Sequence, residues 1–332
     1  MPELTIKQVD AFTTKPFCGN PAGVITEADG LTLDDMQKIA GAMNLSETAF
    51  VTMPESLDTC FRFRFFTPSE EVDLSGHATI ATCFALLEEG RIPLRDGLNT
   101  IMIDTNVGGV PIDIHYSTRY GSTGTSDDDG EGVRLVIDKT SPGVLGKIMM
   151  HQSIERYRTS TVPVDIIAGI LGIDEGEILR TGLPMEIIST GLDQLMIPVA
   201  HKETILEMHP DLIKLSLMNG KYDIHTNHIF SLDTFDEECT TYARHFAPYV
   251  GMWEDPATGT ASAGLGTYLF KHGIVTSGAM VMQQGKEIGS LARILVEVED
   301  TSDETGRVKI GGLAATSITR KLNIESGEVV VA

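Results

Sequence analysis

Apolar and polar residues alternate from Glu3 to Phe12, the period-two pattern of a strand with one buried face. Pro16–Val24 reads as a tight turn leading into a second strand. The spacing of Met36, Ile39, Ala40 and Met43 predicts a helix, opened by a capping-box pair, Thr32 and Asp35, and running up to Asn44. Leu45–Val51 follows as a short strand with one carboxylate, Glu47, near its start. Phe61, Phe63 and Phe65 alternate with Arg62 and Arg64 in another. Later stretches predict strands at Arg134–Asp138, Met196–Val199, His228–Leu232, Val308–Ile310 and Glu328–Val331. They predict helices at Val164–Leu171 and at Asp236–Phe246, the second stopped by Pro248.

Two segments have no polar face. One begins at Ser75-Gly76-His77 and runs to Gly90; the other follows an acidic turn at Glu254, Asp255 and Pro256 and runs from Thr258 to Gly273. A helix apolar on all sides is buried on all sides. Gly264 and Gly266 inside the second should each cost about 1 kcal/mol relative to alanine, which implies tightly packed neighbours. The intervals Gly76 to Gly90 and Gly259 to Gly273 are equal. Each helix precedes two alternating strands: Thr100–Asp104 with Val110–His115, and Ala279–Gln283 with Ile294–Glu299. A pattern seen twice is an internal duplication and not a solenoid. The expected fold is α/β (α+β), with two similar halves and a cleft between them. The halves are 1–132 and 133–314, joined by the polar, glycine-rich Ser117–Gly132, and a last strand within 315–332 can return to the first half.

Composition narrows the function. A chain of 332 residues has room for two cores. No apolar run approaches the ~18–20 residues of a membrane-spanning helix, and the N-terminus does not read as a signal peptide, so a cytoplasmic protein is expected. Cys18, Cys60, Cys83 and Cys239 lack metal-type spacing and are expected as free thiols. A formal charge of −22 argues against nucleic acid and anionic membranes as partners. An anionic substrate would have to be attracted by local groups.

Taken singly, the candidate residues have plain structural readings. Glu47 can be a solvated strand carboxylate, His77 a satisfied core histidine, Asp255 a turn residue, and Ser75, Thr258 and Thr260 helix caps. Their convergence raises them. Two helix starts with unpaired N–H groups would hold a carboxylate or oxyanion. His225 and His228 have H-x-x-H spacing but no clearly placed third ligand, so they read as structural, and no metal is expected. No nucleotide-binding motif occurs in a convincing context, and Gly311-Gly312 reads as a bulge or turn.

Several longer motifs resemble the phenazine-biosynthesis PhzF-like family, within the diaminopimelate epimerase fold. They include Phe17-Cys-Gly-Asn-Pro-Ala-Gly-Val, Leu45-Ser-Glu-Thr-Ala-Phe-Val, Asp73-Leu-Ser-Gly-His-Ala-Thr, Ser189-Thr-Gly, Glu254-Asp-Pro-Ala-Thr-Gly-Thr-Ala and Gln284-Gly. The resemblance implies two pseudo-symmetric halves, each a curled, mostly antiparallel sheet around a buried central helix, and commonly a homodimer. It implies a cofactor-free isomerase of a small carboxylate, with Glu47 as acid/base and His77 and Asp255 beside it. Ser75, Gly76, Gly259, Thr260 and, more weakly, Asn20 would bind substrate. Thr260 stands where the family usually has serine. The family's best-known substrate is trans-2,3-dihydro-3-hydroxyanthranilate. Related racemases use cysteines at the two helix starts, where this chain has Ser75 and Thr258. An alcohol without an activating base cannot replace a thiolate at neutral pH. An epimerase or dehydratase of a hydroxy amino acid, and a non-catalytic binder of small acids, stay open as alternatives.

Overall fold

The computed structural model describes residues 4–118, 133–135, 143–154, 156–276, 278–299, 307–325 and 328–331. Most of the expected link Ser117–Gly132, and the end of the expected strand Arg134–Asp138, lie outside the described residues. The chain divides into two units, 1–151 with 311–332, and 152–310.

The first unit opens with β1 (Leu4–Ala11), β2 (Asn20–Ile25), α1 (Leu33–Met43), β3 (Glu47–Thr52), β4 (Phe61–Phe66) and β5 (Glu71–Val72). The buried helix α2 (Gly76–Glu88) follows, then β6 (Gly97–Thr105), β7 (Gly108–Ser117), β8 (Val133–Leu135) and β9 (Gly143–Gln152). The capping box of α1 forms in both directions: Asp35 N–H donates to Thr32 Oγ1, and Thr32 N–H donates to Asp35 Oδ2. Every residue of α2 is buried except Glu88. β9 pairs with β7 from Val144 to Met150, which carries the first unit past 132 to 151.

The second unit starts with β10 (Arg156–Thr159), α3 (Val164–Leu171), α4 (Gly176–Leu179), β11 (Glu186–Ser189), β12 (Asp193–Pro198), α5 (Lys202–Glu207) and α6 (Leu212–Tyr222). It continues with β13 (Thr226–Ser231), β14 (Thr241–Ala247), β15 (Met252–Asp255), the buried helix α7 (Gly259–Lys271), β16 (Gly278–Gln284), β17 (Ala292–Glu299) and β18 (Arg307–Gly312). The chain then returns to the first unit as β19 (Ala314–Glu325), antiparallel to β1, and β20 (Glu328–Val331), antiparallel to β19.

The two units repeat one pairing pattern. In the first, β1-β2-β3-β4-β6-β7 pair in the sequence antiparallel, parallel, antiparallel, parallel, antiparallel. In the second, β11-β12-β13-β14-β16-β17 repeat that sequence. The short strands β5 and β15 pair antiparallel with β4 and β14, just before α2 and α7 respectively. Each unit is thus a mostly antiparallel sheet wrapped on one apolar helix, and the register assigns an equivalent to each residue across the repeat.

The region 236–246 corrects a sequence expectation. It holds no helix; its second half enters β14, which is buried on both faces. Tyr242 and Phe246 join the outer core with α3 and α6, while Ala243 and His245 take the opposite face. A strand buried on both sides loses its period-two signature and is easily mistaken for a buried helix. The expected acidic turn is also corrected: Glu254 and Asp255 end β15, and their side chains point to opposite faces.

Candidate active site

Glu47 is the first residue of β3, in register with Ala22 of β2. Asn20, buried, begins β2 two residues earlier. Ser75 caps α2: its Oγ accepts from Ala78 N–H at 3.4 Å and lies 3.4 Å from His77 Nδ1. The other ring nitrogen of His77, Nε2, lies 3.3 Å from Ser46 Oγ and 3.2 Å from Glu47 Oε2. That carboxylate oxygen is sealed from solvent and accepts no hydrogen bond. Burial raises the Glu47 carboxyl above its ordinary value, and the Ser46 hydroxyl acts in the opposite sense. Gly76 opens the helix, and its N–H has no acceptor within the helix. This group in the first unit holds a carboxylate that gains a proton more readily than an exposed one, beside a histidine and a helix start.

In the second unit Asp255 ends β15 and is buried. Thr258 is the N-cap residue of α7, but its side chain caps nothing there. Its Oγ1 donates to Asp255 Oδ2 at 2.5 Å. Gln284 fixes the turn between them: its Nε2 donates to Asp255 O at 2.7 Å and to Thr258 Oγ1 at 3.3 Å, while its Oε1 accepts from Thr258 N–H at 3.1 Å. Gly259 and Thr260 form the first turn of the helix, and Thr260 O accepts from Thr190 Oγ1. On the outer face of β15, Glu254 forms a two-point ion pair with the buried Arg244 at 2.7 and 2.9 Å.

The structure therefore brings Glu47, His77 and Ser75 together in the first unit, with Gly76 beside them. In the second it groups Asp255 with Thr258 ahead of Gly259 and Thr260. Asn20 is reached along β2. Sequence reasoning missed Ser46, Thr190 and the bracing role of Gln284. Both Thr190 and Gln284 lie inside the motifs that carried the resemblance, but only the folded chain shows what their side chains touch. His228 is buried against His245 and not against His225. Among the described residues no group of three or more His, Cys, Asp or Glu side chains is arranged to hold a metal ion. Among those residues no helix is long and apolar enough to cross a membrane.

Residues 9–320 match the profile of the PhzC-PhzF family, described as phenazine biosynthesis-like protein. An uncharacterized isomerase of Bacillus subtilis, YfhB, is 31% identical over 98% of this chain and 100% of its own length. The crystal structure of a Bacillus anthracis phenazine biosynthesis protein of the PhzF family superposes with a TM-score of 0.81 at 30% identity, covering 98% of this chain and 100% of that one. A hydroxyproline epimerase from Agrobacterium vitis has a TM-score of 0.60 at 11% identity, covering 96% of this chain and 92% of its own, and shares the fold alone.

Proposed function

The chain belongs to the phenazine biosynthesis-like (PhzC-PhzF) family, and from that premise we propose that it is an isomerase that moves a proton on a small cyclic or unsaturated carboxylate without a cofactor. The observation that carries this reading is the state of Glu47: one oxygen sealed and accepting no hydrogen bond, 3.2 Å from His77, with its proton affinity raised by burial. A carboxylate desolvated in this way is a better base than one in water.

In the proposed reaction Glu47 removes a proton from a substrate carbon. The C–H electron pair moves into a new double bond toward the substrate carboxylate, whose growing negative charge meets the N–H groups at the start of α2. The Glu47 carboxylic acid, whose proton exchanges with solvent, then delivers a proton to a second carbon. One C–H bond breaks, one forms, and the double bond shifts. His77, 3.2 Å from the carboxyl, holds a polar substituent of the substrate and sets the protonation of Glu47. Asp255, Gly259 and Thr260 are assigned to the polar groups of the substrate, with Gln284 bracing them. A racemase using thiolates at the helix starts is not supported, because those positions are Ser75 and Thr258.

The test is a panel of unsaturated and hydroxylated cyclic acids, trans-2,3-dihydro-3-hydroxyanthranilate among them, incubated with the protein in D₂O and followed by NMR. A double-bond shift with deuterium uptake supports the reading. Binding without exchange would make the protein a small-acid binder, and exchange with inversion at the same carbon would make it an epimerase.

A further inference from the structure

Register makes Arg244 and Glu254 of the second unit the equivalents of Arg64 and Glu71 of the first. Both ion pairs are two-point and use the same atoms. Nε and Nη2 of Arg64 donate to Glu71 at 2.9 and 2.8 Å, and those of Arg244 donate to Glu254 at 2.7 and 2.9 Å. In each unit the loop after β6 or β16 adds a third side chain to the acidic partner. In the first unit it is Asn106. Arg62 Nη2 donates to Asn106 Oδ1 at 2.8 Å, and Asn106 Nδ2 donates to Glu71 Oε1 at 3.4 Å. A guanidinium can only donate, so the amide turns its oxygen to Arg62 and its NH₂ to Glu71. Asn106 is a neutral relay that accepts on one side and donates on the other.

In the second unit the loop 285–290 supplies Glu287. Tyr242, the register equivalent of Arg62, donates its hydroxyl to Glu287 Oε2. Glu287 Oε1 lies 3.4 Å from Arg244 Nε, and its carboxyl is in hydrogen-bonding contact with that of Glu254. Two buried carboxyl oxygens make such a contact only with a proton between them. Arg244 engages both oxygens of Glu254, and its Nη1 donates to the carbonyls of Ile205 and Met208 at 3.1 and 2.9 Å. One buried positive charge therefore faces two carboxyl groups, and its two-point bond goes to Glu254. The proton belongs to Glu287, whose side chain is only 9% exposed. Burial raises the Glu287 carboxyl above its ordinary value, with the Tyr242 hydroxyl acting against it and the contact with Glu254 adding to it. Tyr242 and Arg244 of β14 and Glu254 of β15 are the ionisable side chains that face it, while Lys286 places its ammonium over the Phe235 ring, 4.1 Å from the centroid. A carboxylic acid offers the same two sides as the Asn106 amide, a carbonyl that accepts and a hydroxyl that donates.

The loop starts directly after Gln284, which braces Asp255 and Thr258. It is closed by Ser290 N–H, which donates to Gly285 O at 2.9 Å. Gly285 presses on the same turn, since a Cβ there would stand 2.7 Å from Pro256 O. Glu287 ties this loop to β15 one residue away from Asp255.

We propose that Glu287 is a positioning residue: a neutral carboxylic acid that accepts from Tyr242, donates to Glu254 and fastens loop 285–290, and Gln284 with it, behind Asp255. Its folded-state titration is raised, so the stability it gives is full below the unfolded value and is lost as pH rises through the folded one. Above that point two carboxylates share one guanidinium and the tie opens. Its effect on the reaction rests on the substrate-holding role given to Asp255 above; the tie itself does not.

The experiment uses the full chain without ligand, labelled with ¹³Cδ-glutamate, with the Glu287 signal identified by its loss in Glu287→Gln. That carbon should titrate above the ordinary glutamate range. Amide hydrogen exchange within 285–290, corrected for its intrinsic pH dependence, should speed up over the same interval. Glu287→Gln puts an amide where the first unit has Asn106, and its loop protection should stay constant across that interval. A Glu287 carbon that titrates within or below the ordinary range would overturn the proposal. So would loop protection that ignores the titration, or that changes equally in Glu287→Gln. Should that variant fail to fold, Glu287→Asp assigns the signal, and the wild-type titration and loop exchange decide alone. With a substrate from the acid panel, deuterium exchange should fall on the alkaline side in wild type and not in Glu287→Gln; equal alkaline limbs would overturn the positioning role. Absence of deuterium uptake by any substrate would count against the isomerase reading and leave the titration and loop exchange unchanged.

Discussion

Glu47 Oε2 and His77 Nε2 stand 3.2 Å apart, and the Ser46 hydroxyl lies 3.3 Å from the same ring nitrogen. The hydroxyl and the burial pull the carboxyl in opposite directions, with burial the larger effect. A general base must be ionised to act, so the acid limb of kcat/KM should fall above the ordinary glutamate range. Ser46→Ala removes the influence that lowers the Glu47 pKa and leaves the burial. Its acid limb should therefore move further up in pH, with the plateau rate changed by less than about tenfold. The check is the pH profile of deuterium exchange for both proteins.

The same burial makes a prediction about stability. The folded-state pKa of Glu47 is raised, so between the unfolded and folded values the native state holds more protons than the unfolded one. Stability is then highest below the unfolded pKa and falls as pH rises through the folded pKa. Glu47→Gln removes that loss. Its Tm should exceed that of wild type at pH 8, and the gain should disappear near pH 4. Thermal melts at the two pH values check the sign.

The glycines of α7 differ in what surrounds them. A Cβ at Gly266 would lie 2.6 Å from Val296 Cγ1 on the short, stiff side chain of β17. At Gly264 it would lie 2.8 Å from Met196 Cε, the far end of a flexible side chain. Gly266→Ala should cost about 1–3 kcal/mol. Gly264→Ala should cost less, since the Met196 methyl can swing away where the Val296 side chain cannot. Urea unfolding of the two variants measures the difference.

Much of this was legible in the chain. The capping box at Thr32 and Asp35, the apolar helices α2 and α7 and the strand pairs after them follow from period and spacing. Glu47, His77 and Asp255 came from motifs, because spacing alone does not show that Glu47 meets His77. The strand β14 was misread because both of its faces are buried. Thr258 looked like a cap and instead bonds Asp255, a choice set by Gln284, which is distant in sequence. The relay from Tyr242 through Glu287 to Glu254 emerges only from the folded chain.

The thiols should be dispensable. Cys60 is exposed, whereas burial pushes the Cys83 thiol up to about 12. Iodoacetamide at pH 8 should modify Cys60 and spare Cys83 in the folded protein. Cys18→Ser and Cys60→Ser should each keep exchange activity, because neither thiol has a role in the proposed proton transfer. Mass mapping and the exchange assay check both statements.

The central claim is that Glu47 carries the proton, and its most direct test is Glu47→Gln in D₂O with a substrate identified from the acid panel, followed by NMR. The variant keeps the shape of the side chain and loses its titrating group. It should fold, still bind the acid, and lose isomerisation and deuterium exchange together by about 10²–10⁴-fold. Deuterium exchange by Glu47→Gln at the wild-type rate would contradict the account and pass the role of base to another group, Asp255 first.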